Sequence, residues 1–218
     1  MSFACEVGRA VRSTLVLWII TALIYPLAII AFGQLVFPVQ ANGSLITATG
    51  EYTTDPSEAV GSALIGQPFS SDRYFWSRPS TTSYSTADPN HDEAVILQTG
   101  VSGASNLAPS NPALLERIQG NDDPDPNTRI EGELIRLQNG SVAPTADLIY
   151  SSGSSLDPHI TIEAARNQID RITATRGVDP TQLEELIRRN TEGRSLGIFG
   201  EPGVNVLKLN LALDGLSR

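Results

Sequence analysis

From Leu15 to Phe37 the chain reads LVLWIITALIYPLAIIAFGQLVF, 23 residues without a charged side chain. At about 1.5 Å of rise per residue such a helix reaches roughly 35 Å, against a bilayer hydrocarbon core of about 30 Å. The pattern predicts one membrane-spanning helix. Arg9 and Arg12 precede it, and no further Lys or Arg occurs before Arg73. By the positive-inside rule, residues 1–14 are then cytoplasmic, 15–37 span the membrane, and 38–218 form an extracytoplasmic domain. Pro26 and Gly33 interrupt the helix, which membrane spans tolerate when the freed backbone groups find other partners. The rival reading is an exported soluble protein, released by cleavage at Val39-Gln40-Ala41. A signal h-region is about 7–15 residues, shorter than this run, so a retained anchor is the better reading.

Beyond the span the pattern shortens and alternates. Asn42-Gly43 reads as a tight turn, Thr47–Glu58 as a loop, Ala59–Phe69 and Arg73–Trp76 as short strands, and Ser80–Ser110 as a long irregular stretch. The second half carries helix signals. Asn111-Pro112 caps a helix over Ala113–Ile118, and Thr128 with Glu131 forms a capping box for one running to Leu137. Asp147–Tyr150 reads as a brief strand. Thr161 caps a helix with Ile162, Ala165, Ile169 and Ile172 on one face, and Gln168 and Arg171 share the stripe beside it. Asp179-Pro180 opens a helix burying Leu183, Leu186 and Ile187, with Glu184–Arg188 and Glu185–Arg189 pairs. Leu207, Leu209, Leu211 and Leu213 alternate with Lys208, Asn210 and Ala212, the period of a half-buried strand, a buried helix end being the other reading. The fold class that follows is a single N-terminal transmembrane helix and one α+β extracytoplasmic domain with a small sheet.

Composition sharpens this picture. The part after the span holds 13 basic and 23 acidic residues, a net charge of −10, which excludes general nucleic-acid binding. The only cysteine, Cys5, precedes the span, so the outer domain is expected to rest on packing without a disulfide. Lys208 is the sole lysine, and no G-x-x-x-x-G-K phosphate loop exists. His91 and His159 are the only histidines, and neither stands at metal-ligand spacing from a Cys or another His. The acidic break Gly120–Asn127 lacks the bidentate acid a calcium loop requires and reads as a solvated insertion. No G-x-S-x-G elbow is present, although Ser151–Ser155 offers hydroxyls. Asp157 and Glu163 suit helix capping and a solvated face better than a catalytic carboxylate pair. An external binding or assembly module is therefore the favoured reading, with a membrane-anchored hydrolase using a serine of Ser151–Ser155 as the alternative.

Several stretches together resemble one family. QANGSL (Gln40–Leu45), GSALIGQPF (Gly61–Phe69), YFWSRPS (Tyr74–Ser80), GASNLAPSNPAL (Gly103–Leu114), LDPHIT (Leu156–Thr161), the Gln168-x-x-Arg171 pair and GEPGVNVLKLNLALD (Gly200–Asp214) follow the order found in KdpC, the C subunit of Kdp-type potassium-transporting ATPases. Departures are the linker Ala48–Glu58, the insertion Gly120–Asn127, and Ser155 where the family usually has Gly. The resemblance implies an accessory, non-catalytic subunit of a pump whose partners are KdpA (channel-like, carrying the potassium), KdpB (the P-type ATPase) and KdpF. It implies a role in assembly and in raising ATP affinity, with Gln168 and Arg171 as proposed nucleotide contacts and no tightly bound cofactor. The chain itself has neither the D-K-T-G motif of P-type pumps nor a T-V-G-Y-G filter. An outside location, away from the ATP supply, favours a structural use of Gln168 and Arg171. Partner contacts are expected at Trp18, Tyr25 and Pro26 on the span, and at Tyr74, Phe75, Arg78, Asn106, Asn111, Asp157 and Asn205 in the domain. The span is expected to pack on the A subunit while the acidic domain covers its potassium entrance.

Overall fold

The apolar stretch lies on one helical run from Phe3 to Val36, with no residue of its apolar window buried within the chain. The structure, a computed structural model, describes residues 3–85, 100–121 and 123–216. Helix α1 (Phe3–Trp18) passes through a π-helical turn (Ile19–Ile24) into α2 (Tyr25–Val36). Pro26 explains the turn. Proline has no N–H, and its ring collides with the carbonyl four residues back, so an unbroken α-helix cannot accept it here. The wider register, with Tyr25 N–H donating to Ile20 C=O, absorbs the mismatch, and Thr21 Oγ1 donates to Leu17 C=O at 2.8 Å. A short α3 (Pro38–Ala41) follows, and Gln34 and Asn42 exchange side-chain amide hydrogen bonds of 3.0 and 3.3 Å across the junction. The Asn42-Gly43 turn forms as expected, with Gly43 at φ +86°.

Two small antiparallel sheets follow, where the sequence suggested one. The first has the order β2-β1-β3, from β1 (Leu45–Thr47), β2 (Tyr52–Thr53) and β3 (Ala59–Ser62). The stretch read as a loop thus contains a hairpin edge, and the strand expected through Phe69 stops at Ser62. The second sheet has the order β4-β6-β5, from β4 (His159–Ile160), β5 (Thr191–Glu192) and β6 (Gly203–Asn205). Seven further helices follow α3 among the described residues: α4 (Pro112–Gln119), α5 (Glu133–Asn139), α6 (Ala146–Ile149), α7 (Ile162–Arg166), α8 (Ile169–Arg176), α9 (Pro180–Arg189) and α10 (Val206–Gly215), of which α7 and α10 pack against β6. The main core joins Phe75, Trp76, Leu137, Leu148, Ile160, Ile172, Leu183, Ile187 and Leu209; a smaller one joins Ile46, Ala63 and Leu207.

Some caps work as read. The side chains of Asn111, Thr161 and Asp179 accept the N–H groups of Ala113, Ala164 and Thr181, and α9 buries Leu183, Leu186 and Ile187. Four expectations need correction. Thr128 donates to Asp123 instead of capping, and the helix starts at Glu133. Asp147–Tyr150 is helical at α6, where the buried Asp147 carboxylate accepts Thr161 N–H at 2.6 Å. The leucine run is helix α10 because Val206, Leu209, Asn210 and Leu213 also lie at helical spacing and are buried, with Asn205 accepting Lys208 N–H as the cap. Glu184 pairs with Arg166, at 2.7 Å to Nε, and not with Arg188, while Glu185 holds Arg189 as expected and takes Arg188 as well.

Candidate functional site

Residues 72–76 (DRYFW) leave a turn, closed by Tyr74 N–H on Ser71 C=O at 3.1 Å, and cross the domain without joining either sheet, although aromatic residues favour strands. Buried backbone groups must find partners, and side chains supply them here. Phe75 N–H donates to Asn210 Oδ1 at 2.8 Å, and Asn210 Nδ2 donates back to Phe75 C=O at 2.9 Å. One residue on, Trp76 N–H donates to Gln168 Oε1 at 2.7 Å, and Gln168 Nε2 returns a longer bond to Trp76 C=O at 3.4 Å. The two amides thus hold the backbone groups of consecutive residues, the role that neighbouring strands play in a sheet.

Arg171 completes the clamp. Its Nη1 donates to Asp72 C=O, and its Nη2 donates to Tyr74 C=O at 2.9 Å and to Gln168 Oε1 at 2.7 Å. The guanidinium carbon lies 3.8 Å from the Trp76 ring centroid, and that of Arg136 lies 4.7 Å away. Gln168 is 0% exposed and Arg171 6%. Burial pulls the Arg171 guanidinium down to about 10, with the Asp72 carboxylate acting the other way, so it stays charged at neutral pH. The helix expected from Thr161 onward breaks between α7 and α8, and Gln168 occupies the break with φ −97°, ψ −6°. The three-residue spacing then puts Arg171 on the same face, one turn into α8.

A second polar layer ties the segment to its surroundings. Tyr74 O–H donates to Asp214 at 3.1 Å, and Arg176 pairs with the same carboxylate at 2.8 Å. Burial pushes the Tyr74 phenol upward, and Asp214 adds to it. Arg78 pairs with Asp157 at 3.1 Å; Asp157 accepts His159 N–H; His159 Nε2 lies 3.0 Å from Glu192; and Lys208 pairs with Glu192 at 2.8 Å. Hydrogen bonding to Asp157 raises the His159 pKa, burial opposes it, and Glu192 raises it further. Burial alone would push Asp157 up, but His159 and Arg78 outweigh it and its pKa falls.

The expected site residues separate into three groups. Gln168, Arg171, Tyr74, Arg78 and Asp157 converge on the clamped segment and its ion-pair chain. Asn205 is wholly buried and donates to Ala63 C=O at 2.8 Å, and Phe75 is wholly buried in the core. Trp18 and Tyr25 are each 63% exposed on the long helix, Pro26 is half-buried in the first turn of α2, just after the π turn, and Asn106 and Asn111 lie on the surface. Asn210 is the member that sequence reading missed. The signal for it is a polar amide at the helical i+4 position of an otherwise apolar face.

The other candidate chemistry stays dispersed. Ser155 Oγ donates to Gly103 C=O at 2.7 Å and lies 2.7 Å from Thr81 Oγ1; Ser151 Oγ accepts from Arg117; Ser152 and Ser154 face each other at 3.3 Å. None of these hydroxyls bonds to His159, and His91 lies outside the described residues. No group of three or more metal-ligating side chains gathers among the described residues. Four surface clefts of about 210 to 510 Å³ are lined by residues other than Gln168 and Arg171.

Residues 7–215 match the family model KdpC, described as K+-transporting ATPase, c chain. The chain belongs to the KdpC family. It is 65% identical over 218 residues to the potassium-transporting ATPase KdpC subunit of Microcystis aeruginosa, covering 100% of this chain and 99% of that protein. KdpC subunit 1 of a Nostoc species is 61% identical over 216 residues, covering 99% and 98%. The Synechocystis subunit is 56% identical over 205 residues, covering 94% and 95%. The KdpC-like stretches meet in space. YFWSRPS carries the clamped residues, GEPGVNVLKLNLALD supplies β6 and Asn210, and LDPHIT supplies Asp157 and β4. GSALIGQPF joins LDPHIT through Gly66 N–H on Leu156 C=O at 2.8 Å, and GASNLAPSNPAL brings Gly103 to Ser155. Ser155 has φ +58°, a left-handed backbone of the kind that favours Gly.

Proposed function

We propose that this chain is the accessory, non-catalytic C subunit of a potassium-uptake pump. The long apolar helix anchors it, and the domain after Phe37 lies outside the cytoplasm. Arg9 and Arg12 before the span, with no cation from residue 13 to residue 72, support that orientation. Its partners are the channel-like A subunit, which carries potassium, the P-type B subunit and the small F subunit. The exposed Trp18 and Tyr25 suit helix contacts within the bilayer, and the acidic domain suits a position where potassium collects before entry.

The single observation behind the structural role is that Gln168 and Arg171 are spent inside the protein. Every polar arm of Gln168 is engaged, by Trp76, Ala164 and Arg171, and both terminal nitrogens of Arg171 reach backbone carbonyls. We therefore assign the Gln-x-x-Arg pair to holding residues 72–76 in place. On this reading any effect on ATP affinity reaches the B subunit through assembly. The test is Gln168→Ala and Arg171→Ala in the complete pump, with subunit yield and ATP dependence measured on the same preparations. Less complex with an unchanged KM for ATP per assembled pump is expected. Full assembly with a KM raised severalfold, or nucleotide binding to the chain that Gln168→Ala abolishes, would overturn the assignment. Orientation is checked by protease added to intact spheroplasts, which should digest the domain.

A further inference from the structure

The first sheet begins level with the end of the apolar run, because the chain doubles back there. A Cβ on Gly33 would stand 3.7 Å from Ala41 Cβ, and the Gln34 and Asn42 amides bond at 3.0 Å. Asn42 therefore lies beside the last turn of the run that closes at Phe37, and Gly43 and Ser44 start the domain at that height. Strand β3 returns to this point, since its antiparallel register sets Thr47 against Ala59 and Leu45 against Ser62. Ser62 Oγ then donates to Gly43 C=O at 2.7 Å, and Ala63 N–H to Ser44 C=O at 3.0 Å. The turn that follows, residues 63–66, is thus pinned beside the end of the span.

What the turn presents there is apolar. Leu64 and Ile65 are 61% and 40% exposed, between the buried Ala63 and Gly66. The N–H groups of Ala63, Leu64, Ile65 and Gly66 all have acceptors, in Ser44 C=O, Ser62 Oγ, Ser62 C=O and Leu156 C=O. The turn therefore carries no unpaired N–H into a medium poor in water. Charge singles out the same face. Residues 13–50 and 59–71 hold no charged side chain, although the part after the span carries −10. Carboxylates are costly to bring against acyl chains, whereas a neutral base bearing two aliphatic side chains suits that boundary. We infer that Leu64 and Ile65 insert into the bilayer where headgroups meet acyl chains. This is a second membrane contact, which together with the span fixes how the domain sits on the lipid. It needs the span but not the pump reading.

The test places single cysteines in a Cys5→Ser chain, as Leu64→Cys, Ile65→Cys, Leu35→Cys or Thr49→Cys, each carrying an environment-sensitive fluorophore. The full chain is reconstituted in phosphatidylcholine vesicles that contain lipid with a nitroxide on the upper acyl chain. Labels at Leu64 and Ile65 should be quenched at least about twofold, as should the label at the exposed Leu35 of α2. The label at Thr49, in the β1–β2 turn at the other end of the sheet, should not be. Leu64 and Ile65 labels should also be quenched when the chain is part of the complete pump. Quenching there no greater than at Thr49, in either preparation, would overturn the inference alone; in the pump it would assign the turn to a neighbouring subunit. An unquenched Leu35 label in the chain by itself would overturn the span, and the inference with it.

Discussion

Replacing Gln168 with Leu removes one side of the clamp while nearly conserving volume. Packing therefore changes little, and the polar groups left behind decide the outcome. Trp76 N–H loses its acceptor at 2.7 Å in a fully buried position, and Arg171 Nη2 loses one of two acceptors. An orphaned buried donor costs about 1–3 kcal/mol, and more where a charge is involved, so the sum is about 3–5 kcal/mol. Domains of this size lose about 2–4 °C of Tm per kcal/mol, which predicts a drop of roughly 6–20 °C. The assay is thermal unfolding of the full chain in detergent, with hydrogen exchange at the Trp76 amide as the local readout. Asn210→Leu should cost a similar amount. Because both amides hold adjacent residues, the double variant should fall short of additivity by about 1 kcal/mol or more. A Gln168→Leu chain melting within about 2 °C of wild type, with an equally protected Trp76 amide, would refute the clamp.

Other perturbations probe separate parts of the domain. Ser155→Ala keeps a left-handed backbone and loses the hydroxyl that meets Gly103 and Thr81, whereas Ser155→Gly relieves the backbone, so the Ala variant should be less stable than the Gly variant by about 1 kcal/mol in denaturant titration. Gly140→Ala would place a Cβ 2.5 Å from Trp76 Cη2 and 3.2 Å from Arg171 Cδ, and should cost about 1–3 kcal/mol in the same titration. The raised His159 pKa means its contribution is fully present below 6.5 and is lost as pH rises through the higher folded value; the lowered Asp157 and Glu192 values mean theirs is lost on acidification. Thermal scans should therefore show stability declining above about pH 6.5, and His159→Gln should flatten that decline.

The long helix, the Asn42-Gly43 turn, the caps at Asn111, Thr161 and Asp179, and the buried face of α9 were legible because local chemistry determines them. The errors share a different cause. Leu207–Leu213 satisfies both a period of two and a helical period, and only the Asn205 cap and the burial of Asn210 break the tie. Asp147 looked like the head of a strand, yet its carboxylate serves Thr161 fourteen residues away. Tyr74-Phe75-Trp76 has strand composition but no strand neighbour, because its partners are side chains of α10 and of the α7–α8 break. Pairings between residues 75 and 210, or 76 and 168, leave no local signature. The Gln-x-x-Arg spacing was visible, but which backbone it would grip was not.

Strands of two to four residues cannot hold a domain of this size together through ladder bonds alone. The described part of the domain has no cysteine, so no disulfide compensates. The missing cross-links are the buried amides. Asn205 joins the second sheet to the edge of the first, Asn210 joins α10 to Phe75, and Gln168 joins the α7–α8 break to Trp76. Each is a single side chain bridging elements more than ninety residues apart in sequence, at a site where water cannot substitute. Such joints act cooperatively, since releasing one frees backbone groups the others must then hold. That predicts cooperative loss of the whole domain from single substitutions of these buried amides.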